Sequence, residues 1–192
     1  MRRTATVTRV SEPLTTDAAI LARIRSTPTI AKLLTDFDFD IDRVANGPVE
    51  PVHLASGEPL EMIAGDASGG AFMLVGSGDE RPVVYAGSEG EGGLIATSLR
   101  NALALVGSVS SIHDATARPL GDDGGADLHA WLAEADDEIR EDWPDLDADR
   151  QRLREALDLP AADGLLEALH RLAADEAYRP ISEAGDRYDS ML

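Results

Sequence analysis

The sequence predicts an α+β fold: an antiparallel sheet with helices on one side and a helical extension at the C-terminal end. Three observations predict it. Ala71 to Val75 and Pro82 to Tyr85 are apolar runs too short for ordinary helices. The turn residues Gly76-Ser77-Gly78-Asp79-Glu80 join them, which is the pattern of an antiparallel hairpin. Phe72 to Val75 are apolar in succession rather than alternating, as in a strand covered on both faces. Beyond residue 126 the apolar residues recur at spacings of three and four, the period of helices that bury one stripe.

Taken in order, residues 1–15 read as a flexible arm, 16–120 as an α+β core, and 121–192 as a helical region packed on that core. Thr16 or Asp17 is placed to cap a helix carrying Ile20, Leu21, Ile24, Ile30, Leu33 and Leu34, which Pro28 divides. Phe37-Asp38-Phe39-Asp40-Ile41-Asp42 alternates strictly and predicts a strand with one apolar and one acidic face. Asn46-Gly47-Pro48 ends it, and Pro51 to Leu54 begins a further short strand. Gly65, Gly69 and Gly70 mark a bulge or tight turn before the hairpin. After Gly93, Leu94, Ile95, Leu99, Leu103 and Val106 predict a helix, and Gly107 to Asp127 a loop. Three helices follow, with Pro144 and Pro160 between them. The sheet is expected to hold roughly four to six strands.

Charge narrows the function classes. Asp and Glu number 36 against 17 Lys and Arg, a formal net charge of -19 over 192 residues. Such a surface repels phosphate backbones and anionic membranes and favours a basic partner. Neither a basic stripe nor aromatics interleaved with arginine is present, so nucleic acid is not an expected partner. The chain has no cysteine, which removes disulfides, thiol catalysis and thiolate zinc sites. MRRTATVTRVSEPL lacks the apolar core of a signal peptide and no run reaches a membrane-spanning length, so a cytoplasmic protein is expected.

The motifs of catalysis and metal binding are incomplete. Asp36, Asp38, Asp40 and Asp42, and again Asp145, Asp147 and Asp149, resemble the start of a calcium loop, but the required glycine and glutamate are Ile41 and Gly47 in the first case and Arg150 and Ala156 in the second. His53, His113, His129 and His170 have no helical zinc spacing and read as surface or cap residues. Ala86-Gly87-Ser88-Glu89-Gly90 approaches the G-x-S-x-G elbow of a serine hydrolase, with Ser88 as nucleophile. Its first glycine is alanine, and Glu89 and Glu91 place negative charge where an oxyanion would form. Gly65-Asp66-Ala67-Ser68-Gly69-Gly70 lacks the lysine of a phosphate loop. No catalytic residue, metal or cofactor is expected. A third class of function is self-association through the stripes Leu128, Trp131, Leu132 or Leu165, Leu169, Leu172.

Gly65-Asp66, Gly69-Gly70 with an apolar strand, Arg81-Pro82-Val83-Val84-Tyr85, Glu89 and the helix that follows come in an order that resembles the SUKH superfamily, named in part for fungal cell-wall regulators and abundant in bacteria as immunity proteins against polymorphic toxins. About residues 50 to 110 carry the likeness, and the ending Arg187 to Leu192 is similar to tails of actinobacterial members. A tryptophan-glycine pair frequent early in that family is absent here. The resemblance implies an α+β binding protein without catalytic residues. Gly65, Asp66, Gly69, Gly70, Pro82 and Glu89 match the family pattern and read as turn formers. The acidic residues Asp38, Asp40, Asp42, Glu89 and Glu91 are the expected contacts for a partner protein with a basic surface.

Overall fold

The structure is a computed structural model that describes residues 14–121 and 125–192. Of the expected arm, only Leu14 and Thr15 lie within the described residues. The fold is α+β. Helix α1 (Asp17–Ser26) is capped by Thr16, whose hydroxyl accepts the Ala19 N–H at 3.1 Å. Helix α2 (Pro28–Asp36) starts at Pro28, where the missing N–H leaves no intrahelical bond unmade. The division at Pro28 is the one its ring predicts.

The segment after α2 corrects the sequence expectation. No strand forms over 37–42. Phe37 closes the helix, Asp38 takes a left-handed backbone at φ 63°, and Asp40 forms a single antiparallel bridge with Gly65 before a 3-10 turn over Ile41–Asn46. The alternation in burial is nevertheless real, since Phe37 and Phe39 are buried. The acids between them bind backbone rather than form a strand face. The Asp38 carboxylate accepts the Ala67 N–H at 2.7 Å and that of Asp40 accepts the Asp42 N–H at 2.9 Å. Aspartate suits both tasks because its short side chain reaches nearby N–H groups and tolerates the left-handed region.

The main sheet is a four-stranded antiparallel meander: β2 (Leu60–Gly65), β3 (Ala71–Val75), β4 (Val83–Ala86) and β5 (Gly92–Ala96), after a short strand β1 (Val52–His53). The predicted hairpin is β3 with β4, in register from Ala71 opposite Ala86 to Leu74 opposite Val83. Both its faces are covered, as the unbroken apolar run predicts. Phe72, Leu74, Val83, Tyr85 and Ile95 join the large helical core. Their neighbours Val75, Val84 and Leu94 pack with Leu54, and Ala71, Met73 and Ala86 with Tyr188. A two-stranded sheet of β1 and β6 (Ile181–Ser182) belongs to this second side.

The helix expected from Leu94 begins later. Gly92–Ala96 is a strand, with Leu94 and Ile95 on opposite faces, and α3 (Leu99–Val106) starts only after Ser98, whose hydroxyl accepts the Asn101 N–H at 3.3 Å. The glycines permit close packing here: a Cβ at Gly92 would stand 2.7 Å from the Tyr85 carbonyl oxygen. The expected loop over 107–127 also holds a short helix, α4 (Ile112–Thr116), capped by Ser111. Helices α5 (Ala126–Asp142), α6 (Leu146–Leu157) and α7 (Leu165–Ala173) follow as the periodicity predicts. Leu128, Leu132, Leu146, Leu153, Leu157, Leu166 and Leu169 are all buried in the large core. The stripes offered for self-association are thus mostly used within the chain, with Trp131 and Leu165 partly buried against it. Among the described residues, no helix is long and apolar enough to cross a membrane.

Candidate functional site

The β2–β3 turn, the β4–β5 turn, α4 and the C-terminal tail meet around one open groove of about 580 Å³. Ser68, Ser88, Glu89, Glu91, His113 and Asp189 line it. Its floor is built on Asp66, which is buried although charged. One carboxylate oxygen accepts the Gly70 N–H at 2.8 Å and the Ser68 hydroxyl at 2.7 Å. The other accepts the Tyr85 hydroxyl at 2.5 Å. Burial alone would raise the Asp66 pKa, but the nearby His113 imidazole and hydrogen bonds from Tyr85, Ser68 and the Gly70 N–H outweigh it and hold the carboxyl well below its usual range. Burial, then the bond to Asp66, pushes the Tyr85 hydroxyl far above its usual pKa, so Tyr85 remains a donor.

His113 reaches this pair from α4. Its Nε2 lies 3.1 Å from the Tyr85 oxygen and 3.8 Å from Asp66. With the Tyr85 proton directed to Asp66, Nε2 donates to the Tyr85 oxygen, giving a relay from imidazole to phenol to carboxylate. Asp66 raises the His113 pKa, partial burial opposes it, and Glu91 and Asp38 add to the rise. Behind the relay the rings stack inward: His113 lies edge-on to Tyr85 at 5.7 Å, Tyr85 is 5.2 Å from Phe72, and Phe72 is 4.9 Å from Phe39. Gly70 makes the relay possible. A Cβ there would run into the Tyr85 hydroxyl and lie 2.7 Å from an Asp66 carboxylate oxygen.

The C-terminal tail completes the groove. The Asp189 N–H donates to the Gly90 carbonyl at 2.7 Å, and the Asp189 carbonyl accepts the Gly92 N–H at 3.0 Å. Tyr188 is buried and donates to Glu50 at 2.7 Å. These bonds bring Asp189 beside Glu89 and Glu91. Among the described residues none of the three carboxylates has an ion pair or side-chain hydrogen bond.

The residues singled out from the sequence divide here. Asp66, Gly69, Gly70, Glu89 and Glu91 converge on the groove and its floor. Gly65 pairs with Asp40 and Ala71 at the end of β2, and the Pro82 carbonyl accepts the Val75 N–H at 3.0 Å beside β4. Asp38 is bound to the β2–β3 turn, while Asp40 and Asp42 border another depression together with Arg25 and Lys32. They do not form one acidic face.

One histidine, His170, corrects the reading that made all four surface or cap residues, while His113 is exposed as read but has partners the sequence did not reveal. His170 is buried, its Nε2 donating to the Ala115 carbonyl at 2.8 Å, and His113 is part of the relay. No local spacing signals either, because each meets partners distant in sequence. Asp189 was likewise not legible, since only the tail's fold brings it to the groove.

The serine hydrolase geometry is not assembled. The Ser88 hydroxyl donates to the Ser68 carbonyl at 2.8 Å rather than to a histidine. Ser68 is 3.5 Å from His113, but the same Nε2 faces Tyr85 and Asp66, whereas a triad needs its carboxylate on the other ring nitrogen. Among the described residues no group of three or more histidines and carboxylates is placed to hold a metal ion. What the groove can do is accept: it offers carboxylates and hydroxyl oxygens around one imidazole. In comparisons with protein-family models, curated proteins and solved structures, the chain matches none.

Proposed function

We propose that this chain is a non-catalytic protein-binding module of the immunity type, which acts in the cytoplasm and blocks a toxin domain by covering its basic surface. The observation that carries this reading is the acidic rim of the groove. Glu89 and Glu91 come from the β4–β5 turn and Asp189 from the C-terminal tail, and no cation of this chain pairs with them among the described residues. A carboxylate left unpaired at the rim of a recessed surface is suited to a lysine or arginine brought by a partner. The net charge of -19 adds long-range attraction for such a partner. The resemblance of residues 50 to 110 to the SUKH superfamily supports the same reading.

The relay below the rim has a positioning role: it fixes the β2–β3 turn to β4 and α4, and the Ser88 hydroxyl bonded to the Ser68 carbonyl joins that turn to the β4–β5 turn, so that the rim is pre-formed, which lowers the cost of binding. The test is to co-express the chain with C-terminal toxin-like domains encoded beside it and to score survival. Survival with the natural chain, lost when Glu89→Lys and Glu91→Lys are combined, is the expected result. If no neighbouring domain is bound or neutralised, the immunity reading falls.

A further inference from the structure

Helix α5 treats its carboxylates in two ways. Toward α6 they are paired: Asp136 receives two hydrogen bonds from Arg150, at 2.5 and 2.8 Å, and Asp137 and Asp147 share Arg140. Toward α4 they are not. Glu134, Glu138 and Asp142 border a second groove of about 490 Å³, and none has an ion pair or side-chain hydrogen bond among the described residues. Spaced by four, they form a line along the helix about 12 Å long. Like charges at that spacing repel one another and weaken a helix, so the line has no stabilising role in α5 itself.

An apolar line runs beside it. Trp131, Ala135 and Ile139 follow the same spacing and are only partly buried. Asp114 closes the far wall from α4, the helix whose other residues line the first groove. The chain already seats one guanidinium here, for Arg118 stacks 4.7 Å above the Trp131 ring. This is an independent sign of what the surface takes. Aromatic surface backed by carboxylates favours a cationic group on an apolar stem.

We infer that the α4–α5 groove is a docking surface for a partner helix that carries arginines or lysines along one face and aliphatic side chains along the adjacent one. The two parallel lines on α5 match such a helix over about two turns, with cations against Glu134, Glu138 and Asp142 and aliphatic groups against Trp131 and Ile139. The inference deepens the proposed function, resting on it for the class of partner while naming a different surface and the segment that fits it.

The test uses the full chain and a synthetic helical peptide of about 15 residues, with arginines at i, i+4 and leucines on the neighbouring face. Affinity is measured by calorimetry for the natural chain, for Glu134→Gln/Glu138→Gln/Asp142→Asn, and for Asp79→Asn/Asp163→Asn/Glu183→Gln, three exposed acids outside both grooves. Both variants lose the same charge, and circular dichroism checks that each is folded. The expected result is binding that weakens about tenfold or more in the α5 variant and stays near the natural value in the other. Equal weakening in both marks a general effect of net charge and overturns the inference, as does the absence of binding at low salt. The two proposals fail separately. A neutralised toxin domain whose affinity is untouched by the α5 variant ends this one alone, whereas peptide binding without any toxin partner ends the immunity reading alone.

Discussion

Tyr85 illustrates how one residue serves both core and site. Its ring is fully buried on the helical side of the sheet, while its hydroxyl joins Asp66 to His113 at the groove floor. Tyr85→Phe keeps the ring and removes the donor, leaving a buried carboxylate short of one partner; it is expected to destabilise by about 1–3 kcal/mol in chemical denaturation. Gly70→Ala is expected to cost a similar amount, about 1–3 kcal/mol, because the methyl group must displace the same hydroxyl. The relay also has a pH signature. The folded pKa of His113 is raised, so its contribution is complete below the ordinary 6.5 and is lost as pH climbs through the raised value. That of Asp66 is depressed, so its contribution is complete above the ordinary 3.8 and is lost as pH falls toward the depressed value. Between those limits both act. Stability followed by urea titration should therefore decline as pH rises past 6.5 in the natural chain, and His113→Gln should remove that decline. An unchanged slope in the variant contradicts the relay.

At the scale of elements, the sequence was legible where the pattern and the local chemistry agreed. The β3–β4 hairpin, the break at Pro28 and the C-terminal helices each have a periodicity and a punctuating residue that point the same way. It misled where one pattern has two causes. Alternation over 37–42 arises from a helix end, a left-handed Asp38 and a capping Asp40, all of which put side chains on alternate sides without a strand. The spacing of Leu94, Ile95 and Leu99 spans a strand and the next helix, with Ser98 as the cap that separates them. Of the site, the glycine turns and the acids of the β4–β5 turn were visible because they are local, whereas His113 and Asp189 arrive through tertiary contacts. Asp38 tests the corrected element. Asp38→Ala removes the acceptor for the Ala67 N–H and puts alanine at φ 63°, and should cost about 1–2 kcal/mol, while Asp42→Ala at an exposed position should stay within about 0.5 kcal/mol. Equal effects would favour a strand face after all.

For the whole molecule, the excess of 36 acidic over 17 basic residues is not distributed to suit the fold. Arg81 holds the buried Asp17 at 3.3 Å and Glu61 at 2.6 Å, and Arg140 and Arg150 gather the acids between α5 and α6. Apart from the contact of Arg140 with Asp137 inside α5, each of these pairs ties one element to another, Arg140 doing so through Asp147. Glu89, Glu91 and Asp189 at one groove beside α4, and Glu134, Glu138 and Asp142 at the other, have no ion pair or side-chain hydrogen bond among the described residues, and this contrast is the basis for reading them as a surface for a basic protein. Contacts of that kind set association rate and salt dependence more than they set affinity. The most direct measurement is the binding of the neutralised toxin domain to this chain across a range of ionic strength, for the natural protein and for Glu89→Lys/Glu91→Lys. The proposal predicts association that slows steeply as salt rises and an affinity about tenfold or more weaker in the variant. A partner bound equally well by both proteins, at a rate indifferent to salt, would contradict it.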